Sequence, residues 1–536
     1  MKTNITKIFA GVLCAASLFS ATSCVEETFP TNAATEEQLG ASDKATEALL
    51  WAMPAFVNNF ATIGSSYHWD WGYGSIMHAR DVMTGDMTVV ATGYDWYDAW
   101  AMNQYQGEDY VYAQFLWNYH YKFIQTANNL IAAVDSATAT PAQLGMLGAA
   151  QAYRALAYLD MAQMYEFLPN DAVSSINKDG NDVLNLTVPI VREGMTEDQA
   201  RNNPRTSREE MAAFILSDLD KAENNIKTIE LADKTIPHLD VVYGLKARCY
   251  MWLADYENAK KYAALAIESN TGHVMSKNEC LDTKTGFNTP DPWMLASTTQ
   301  KEDDVVQTGI LNWASWMCPE ARYGYNAAGA TSMIDSAMYV RISNTDFRKL
   351  MFKAPEGHPL AASVPYIDAA WGAELPNFTA IKFRPNAGDT EEYTVGSSTA
   401  YPLMRIEEMY FIEAEAAEHI APGEGIAKLT EFMLKHRDEK YTVPAGVDAI
   451  DEIVFQKRVE LWGEGTSFFD YKRLNMSVTR GYEFSNVDPA RQFNTNGRPA
   501  WMNICIIKSE KNNNKALVGW ENPDPSSAYE AWTAPK

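Results

Sequence analysis

The side chains best suited to proton transfer or metal binding near neutral pH are eight histidines, at 68, 78, 120, 238, 273, 358, 419 and 436. Their spacing organises no chemistry. None forms HExxH, and no Cys/His cluster has zinc-site separation. There is no GxSxG elbow, no phosphate-binding GxxxxGK loop and no GxGxxG turn. His436-Arg437-Asp438 spells a kinase triplet, but it falls in a helical stretch with no glycine-rich loop upstream. Asn177 to Asp182 resembles the start of a calcium loop, yet Leu186 stands where its glutamate should follow. A glycosidase would need two carboxylates about 5 Å or 6.5–9.5 Å apart, and among 69 Asp and Glu no pair is singled out. These residues imply no catalytic group, metal or cofactor. A binding protein is the expectation rather than an enzyme.

The N-terminus carries a different kind of chemistry. Lys2 and Lys7 precede an uncharged run from Ile8 to Phe19, then Ser20-Ala21-Thr22-Ser23 and Cys24. The run is too short to span a bilayer and reads as a secretory signal, residues 1–23. The small residues before Cys24 form a lipobox, with Ala21 where such boxes prefer Leu, and make Cys24 the expected lipidation site. Each buried methylene of an acyl chain contributes about 0.8 kcal/mol, so several chains anchor firmly. Residues 24–40 are polar, contain Pro30 and read as a tether. Glu26 and Glu27 resemble the surface-export signal of some Gram-negative lipoproteins.

The elements that must position any site are mostly helical. Hydrophobic residues make up 46%, enough for a large core. A net charge of −25 argues against a nucleic-acid binder, which needs clustered Lys and Arg. Helices are expected over 42–60, 112–135, 142–167, 207–226, 238–254 and 256–269, the fourth opened by the capping box Ser207–Glu210. Ala247, Tyr250, Ala259, Tyr262, Ala263 and Ala266 alternate small and large residues as in a tetratricopeptide-like helix pair. Residues 270–400 lose the helical period, which returns over 403–419, 426–440 and 449–474; residues 475–536 are again irregular. The expected fold is therefore mainly α. Its helix-pair scaffold covers about 112–269 and 403–474, interrupted by a loop-rich insertion, all within one domain from 41 to 536. Cys249 reads as a small buried hydrophobe, and Cys280 with Cys318 could pair.

Several segments, in order, resemble the SusD/RagB surface lipoproteins. They are Trp117-Asn118-Tyr119 with Asn128-Asn129, Tyr153-Arg154-Ala155 through Pro169, and Val188-Pro189. They continue with Pro204-Arg205-Thr206-Ser207, Ala247-Arg248 with Tyr256 and Ala259, and Arg405-Ile406-Glu407-Glu408 through Ala416. The last is Arg458-Val459-Glu460-Leu461 with Gly463-Glu464-Gly465, Phe469-Asp470 and Arg473. Thr466-Ser467 departs from the family's usual Gly/His-Arg. Arg458, Glu460, Glu464 and Asp470 lie among Leu461, Trp462 and Phe468, which reads as a polar network holding helices together.

The resemblance implies an outer-membrane lipoprotein, exposed at the cell surface. It would cap a TonB-dependent, SusC-like porin and capture nutrient oligomers, chiefly glycans. Peptide capture, as in the RagB branch, is the alternative, and a surface glycosidase a more distant one. Sugar rings pack their C–H faces on flat aromatics while Asp, Asn and Gln bind the hydroxyls. Aromatics set among Gly, Asp and Asn are thus the expected contacts. Tyr94, Trp96, Tyr97 and Trp100 form one such set, and Trp313, Trp316, Tyr323 and Tyr325 the other, together an exposed platform.

Overall fold

Five of the helices described below begin where a side chain takes up free N–H groups of the first turn. The computed structural model describes residues 42–64, 67–93, 97–101, 103–229 and 231–534. The signal-like segment, Cys24 and the tether lie outside them. Ser42 accepts from the Ala45 N–H and opens α1 (Asp43–Val57), which contains Pro54 and ends three residues after it. After α2 (Tyr73–Val82) come two long helices, α3 (Val111–Ala133) and α4 (Pro141–Tyr165). A Thr140–Gln143 capping box and Pro141 in the first turn fix the start of α4. The expected Ser207–Glu210 box starts α5 (Arg208–Asn225). Helices α6 (Leu239–Trp252) and α7 (Tyr256–Glu268) form the anticipated pair, and Asp255 caps the second.

The fold is mainly α. Helix α3 packs on α4, α4 on α5, α5 on α6 and α6 on α7. Helix α7 then packs on α8 (Ile406–Ile420), which carries α9 (Glu424–His436) and α10 (Ala449–Glu460). Small residues allow these approaches. Ala259, Ala263 and Ala266 are the buried residues of α7. A Cβ on Gly425 would meet the Ala414 carbonyl at 2.0 Å.

Two expected helices are corrected. The 403–419 helix starts only at Ile406, because Ala400–Met404 is strand β4, antiparallel to β2 (Leu295–Thr298). The 449–474 helix is two, α10 and α11 (Ser467–Arg473). Gly463 and Gly465, at φ +77° and +69°, break it, and Cβ atoms there would strike Phe383 and Met77 at 2.7 Å. The turn aims Glu464 at Lys382 (2.6 Å) and Arg405 (2.8 Å).

Residues 270–400 are not a layer apart from the core. Strand β1 (Met87–Val89) pairs antiparallel with β3 (Ser332–Ile334), Met87 opposite Ile334. Leu295, Trp313, Trp316 and Phe383 join one hydrophobic core with residues of α1 to α8. Around that core the family-like charges are paired. Arg458 holds Asp86 through Nε at 3.0 Å, and Lys457 and Arg473 hold Asp470 at 3.0 and 2.6 Å.

Among the described residues no helix is long and apolar enough to cross a membrane. Cys249, Cys280, Cys318 and Cys505 are free, buried thiols, so Cys280 and Cys318 do not pair. The Asn177–Asp182 segment is a tight turn in which Asn177 Oδ1 accepts from the Asp179 and Asn181 N–H groups.

Candidate ligand-binding face

The two aromatic sets, separated by more than 200 residues in sequence, come together. Helix α2 is the anchor. Tyr73 and Arg80 both donate to Asp160 of α4, at 2.5 and 2.8 Å. Arg480 donates to the carbonyls of Val82 (2.6 Å), Thr84 (2.8 Å) and Ala101 (2.5 Å), fixing the short helix Tyr97–Ala101 beside α2. Tyr97 meets Trp100 edge-on at 5.2 Å and Trp316 at 4.9 Å. Trp316 stacks on Tyr325 at 3.8 Å, and Trp313 stacks on Tyr401 at 4.4 Å. Trp69 and Trp71 close the array against Trp100 and Trp313.

The array is a wall inside the protein, not an exposed platform. Tyr97 is fully buried, Trp100, Trp313 and Trp316 are at most 3% exposed, and Tyr323 and Tyr325 reach only 9% and 6%. Tyr94 and Trp96 lie outside the described residues. The physical reason for the correction is that the polar neighbours serve the backbone rather than solvent. Asn312 caps the helix Trp313–Met317 by accepting from the Ser315 N–H at 3.0 Å. Ser315 Oγ accepts from the Tyr325 N–H at 2.9 Å, and Asn326 donates to the Ala314 carbonyl at 2.8 Å. Asp98 pairs with Arg491. His78, inside the wall, is pushed by burial to a pKa of about 3 and is neutral.

The margin of the wall is open. Tyr67 and His68 are half-buried, and a ring nitrogen of His68 is 2.5 Å from the Tyr325 hydroxyl. Arg322, about a third exposed, lies 5.2 Å over the half-buried ring of Trp371 and pairs with Asp368 and with Glu391 at 2.6 Å. The Trp371 backbone N–H and then Arg322 hold the Asp368 carboxyl below its ordinary range. Trp371 thus offers a half-exposed ring beside a guanidinium and two carboxylates, the groups that hold hydroxyl-rich ligands.

Sequence reasoning missed two further aromatic sites. Trp51, 36% exposed, stands over a groove of about 490 Å³ with Asn58, Asn59, Gln300 and Asp303. Its signal was its place off the apolar face of α1, which buries Leu50, Met53 and Val57. Tyr105 and Tyr110, each 40% exposed, meet edge-on at 5.2 Å, and Tyr110 lines a groove of about 430 Å³ with Glu108 and Asp524.

This helical fold with its loop-borne face is that of SusD-like proteins. Residues 281–527 match the model of the SusD family. A SusD-like carbohydrate binding protein from Bacteroides vulgatus superposes with a TM-score of 0.67 at 22% identity, covering 89% of this chain and 97% of that one. Surface glycan-binding protein A from Bacteroides uniformis gives 0.62 at 16% identity, covering 89% and 99%. Surface glycan-binding protein A from Bacteroides thetaiotaomicron, solved with laminarihexaose, gives 0.62 at 13% identity, covering 88% and 98%. At these identities the likeness is one of fold. No curated protein matches the sequence.

Proposed function

We propose that this chain is a binding protein rather than an enzyme. In this reading it is a surface lipoprotein, anchored in the outer membrane through Cys24, that captures oligosaccharides and passes them to a SusC-like TonB-dependent porin. The convergence of the two aromatic sets on one wall carries the reading. It leaves partly exposed rings at Tyr67, His68 and Trp371, the last beside Arg322. Half-exposed rings stack on sugar faces, and Asp368, Glu391 and Arg322 supply hydrogen bonds to hydroxyls. That a protein of the same fold is solved with laminarihexaose supports a glycan over a peptide.

The test is a glycan array probed with the chain lacking residues 1–24, followed by titration of the strongest hit against Trp371→Ala, Trp51→Ala and Tyr110→Ala. Loss confined to Trp371→Ala supports the loop face. Loss confined to either of the others moves the site to that groove. Binding to peptides and to no glycan overturns the reading.

A further inference from the structure

One pocket runs against the sign of the whole chain, which has 69 acidic and 44 basic residues. A cavity of about 280 Å³ opens where the end of α4, the start of α5, the turn between α6 and α7 and the end of α11 meet. Arg208, Arg473 and Arg498 line it with Asn185, Trp252 and Tyr256, and no carboxylate lines it.

Two of these guanidiniums already have counter-charges. Arg208 donates from Nη2 to Glu166 at 3.0 Å. Arg473 pairs with Glu415 and Asp470, both at 2.6 Å. Arg498 differs. Its Nε donates to the Lys472 carbonyl at 2.6 Å and its Nη1 to the Pro169 carbonyl at 2.7 Å. Its Nη2 has no acceptor among the described residues, and the residue is only 9% exposed. Lys472, behind it and 2% exposed, gives its ammonium to the carbonyls of Met164 (3.0 Å) and Met502 (2.7 Å) and to no carboxylate. Burial pushes both groups below their ordinary pKa against the pull of the nearby Glu166 carboxylate, and neighbouring guanidiniums add to the fall.

Buried cations without a matching anion are costly, and a guanidinium fork with a spare N–H suits an oxygen acid. We infer that this pocket binds an oxyanion, the carboxylate, sulfate or phosphate group of a small ligand, with Arg498 Nη2 as its principal donor. Arg208 and Arg473 supply field and further N–H groups. The chemistry differs from the loop face, where each guanidinium already has carboxylate partners.

The experiment uses the purified full chain in detergent. Calorimetric titration and thermal denaturation are run with sodium sulfate, inorganic phosphate and glucuronate, each at constant ionic strength. Saturable binding with a rise in melting temperature is expected for at least one probe. Arg498→Gln should weaken it about tenfold or more, as loss of a charge-assisted hydrogen bond does. Ala254→Asp is the second variant. Ala254 is exposed at the pocket with φ +56°, a conformation that Asp tolerates better than Ala. Its carboxylate should occupy the site internally and abolish the response in a folded protein, so this variant decides if Arg498→Gln does not fold. A response to glucuronate alone identifies an acidic sugar, and an equal response to sulfate or phosphate a free inorganic ion. No saturable binding of any probe, or wild-type binding by Ala254→Asp, overturns the inference.

Discussion

Arg437 grips Glu460 with both prongs of its guanidinium, Nε to Oε2 at 2.7 Å and Nη2 to Oε1 at 2.8 Å. The same carboxylate accepts from Arg405 at 3.1 Å and Arg348 at 3.2 Å. All four side chains are buried. Burial alone would raise the Glu460 pKa, but the three guanidiniums outweigh it and hold it well below the carboxylate range. One carboxyl thus ties the start of α8, the end of α9 and the end of α10 to the segment Phe347–Met351. Arg437 in the kinase-like triplet is a structural clamp.

Glu460→Gln keeps the shape and removes the charge, leaving Arg437 only Glu407, Arg348 only Asp346, and Arg405 Glu407 and Glu464 as carboxylate partners. Breaking a buried ion pair in this way costs about 3–5 kcal/mol. The expected result is a lower urea midpoint with an unchanged slope. A midpoint equal to wild type would remove the network's role in stability.

Acid should destabilise the scaffold through Glu415. Burial works to raise its pKa, but Arg473, bound at 2.6 Å through both oxygens, takes it from 4.5 down to about 2. A carboxyl depressed on folding stabilises the native state at pH above its unfolded value. That stabilisation fades as pH falls from about 4.5 towards 2 and amounts to something on the order of 3 kcal/mol. Denaturation measured from pH 6 to pH 2.5 should show this loss, and Glu415→Gln should flatten the profile over that window. A parallel profile in the variant would assign the acid sensitivity elsewhere.

The aromatic wall and its margin should respond oppositely to truncation. Trp316→Ala opens a cavity in the core and should cost about 3–5 kcal/mol of stability. Trp371→Ala, at a half-exposed ring, should leave the melting temperature nearly unchanged and weaken glycan binding by more than tenfold, about 2 kcal/mol. Melting curves and titrations of the two variants, side by side, check both halves.

Cys24→Ala should release the protein from the outer membrane, judged by membrane fractionation and whole-cell proteolysis. Full retention of the variant would mean that a partner, or another segment, holds it.

Helices were the legible part of this sequence, because caps and apolar spacing are local. Ser207 with Glu210 announced α5 to within a residue, and the α6–α7 pair followed from its alanines. The break after Glu460 was not legible. It depends on how closely Phe383 and Met77, distant in sequence, approach Gly463 and Gly465. The two aromatic sets were legible as clusters, but the burial of Tyr97, Trp100, Trp313, Trp316, Tyr323 and Tyr325 was not. Polar neighbours suggested solvent around Trp313, Trp316 and Tyr325, whereas Asn312, Ser315 and Asn326 are spent on backbone groups of that same segment. Composition cannot distinguish a polar residue facing water from one facing a buried N–H.

Because α7 and α8 pack directly on each other, the long stretch between them leaves the helical row and returns to it at nearly the same place. The entropic cost of closing such an excursion rises only as the logarithm of its length, about 0.6 kcal/mol for each doubling. Residues can be gained or lost at its outer turns, such as those at Gly329 and Gly357 where a Cβ would meet nothing within 4 Å, without shifting the register of the helices beneath. The fold can therefore absorb insertions at these outer turns as a building takes a balcony, with the helical row beneath keeping its packing.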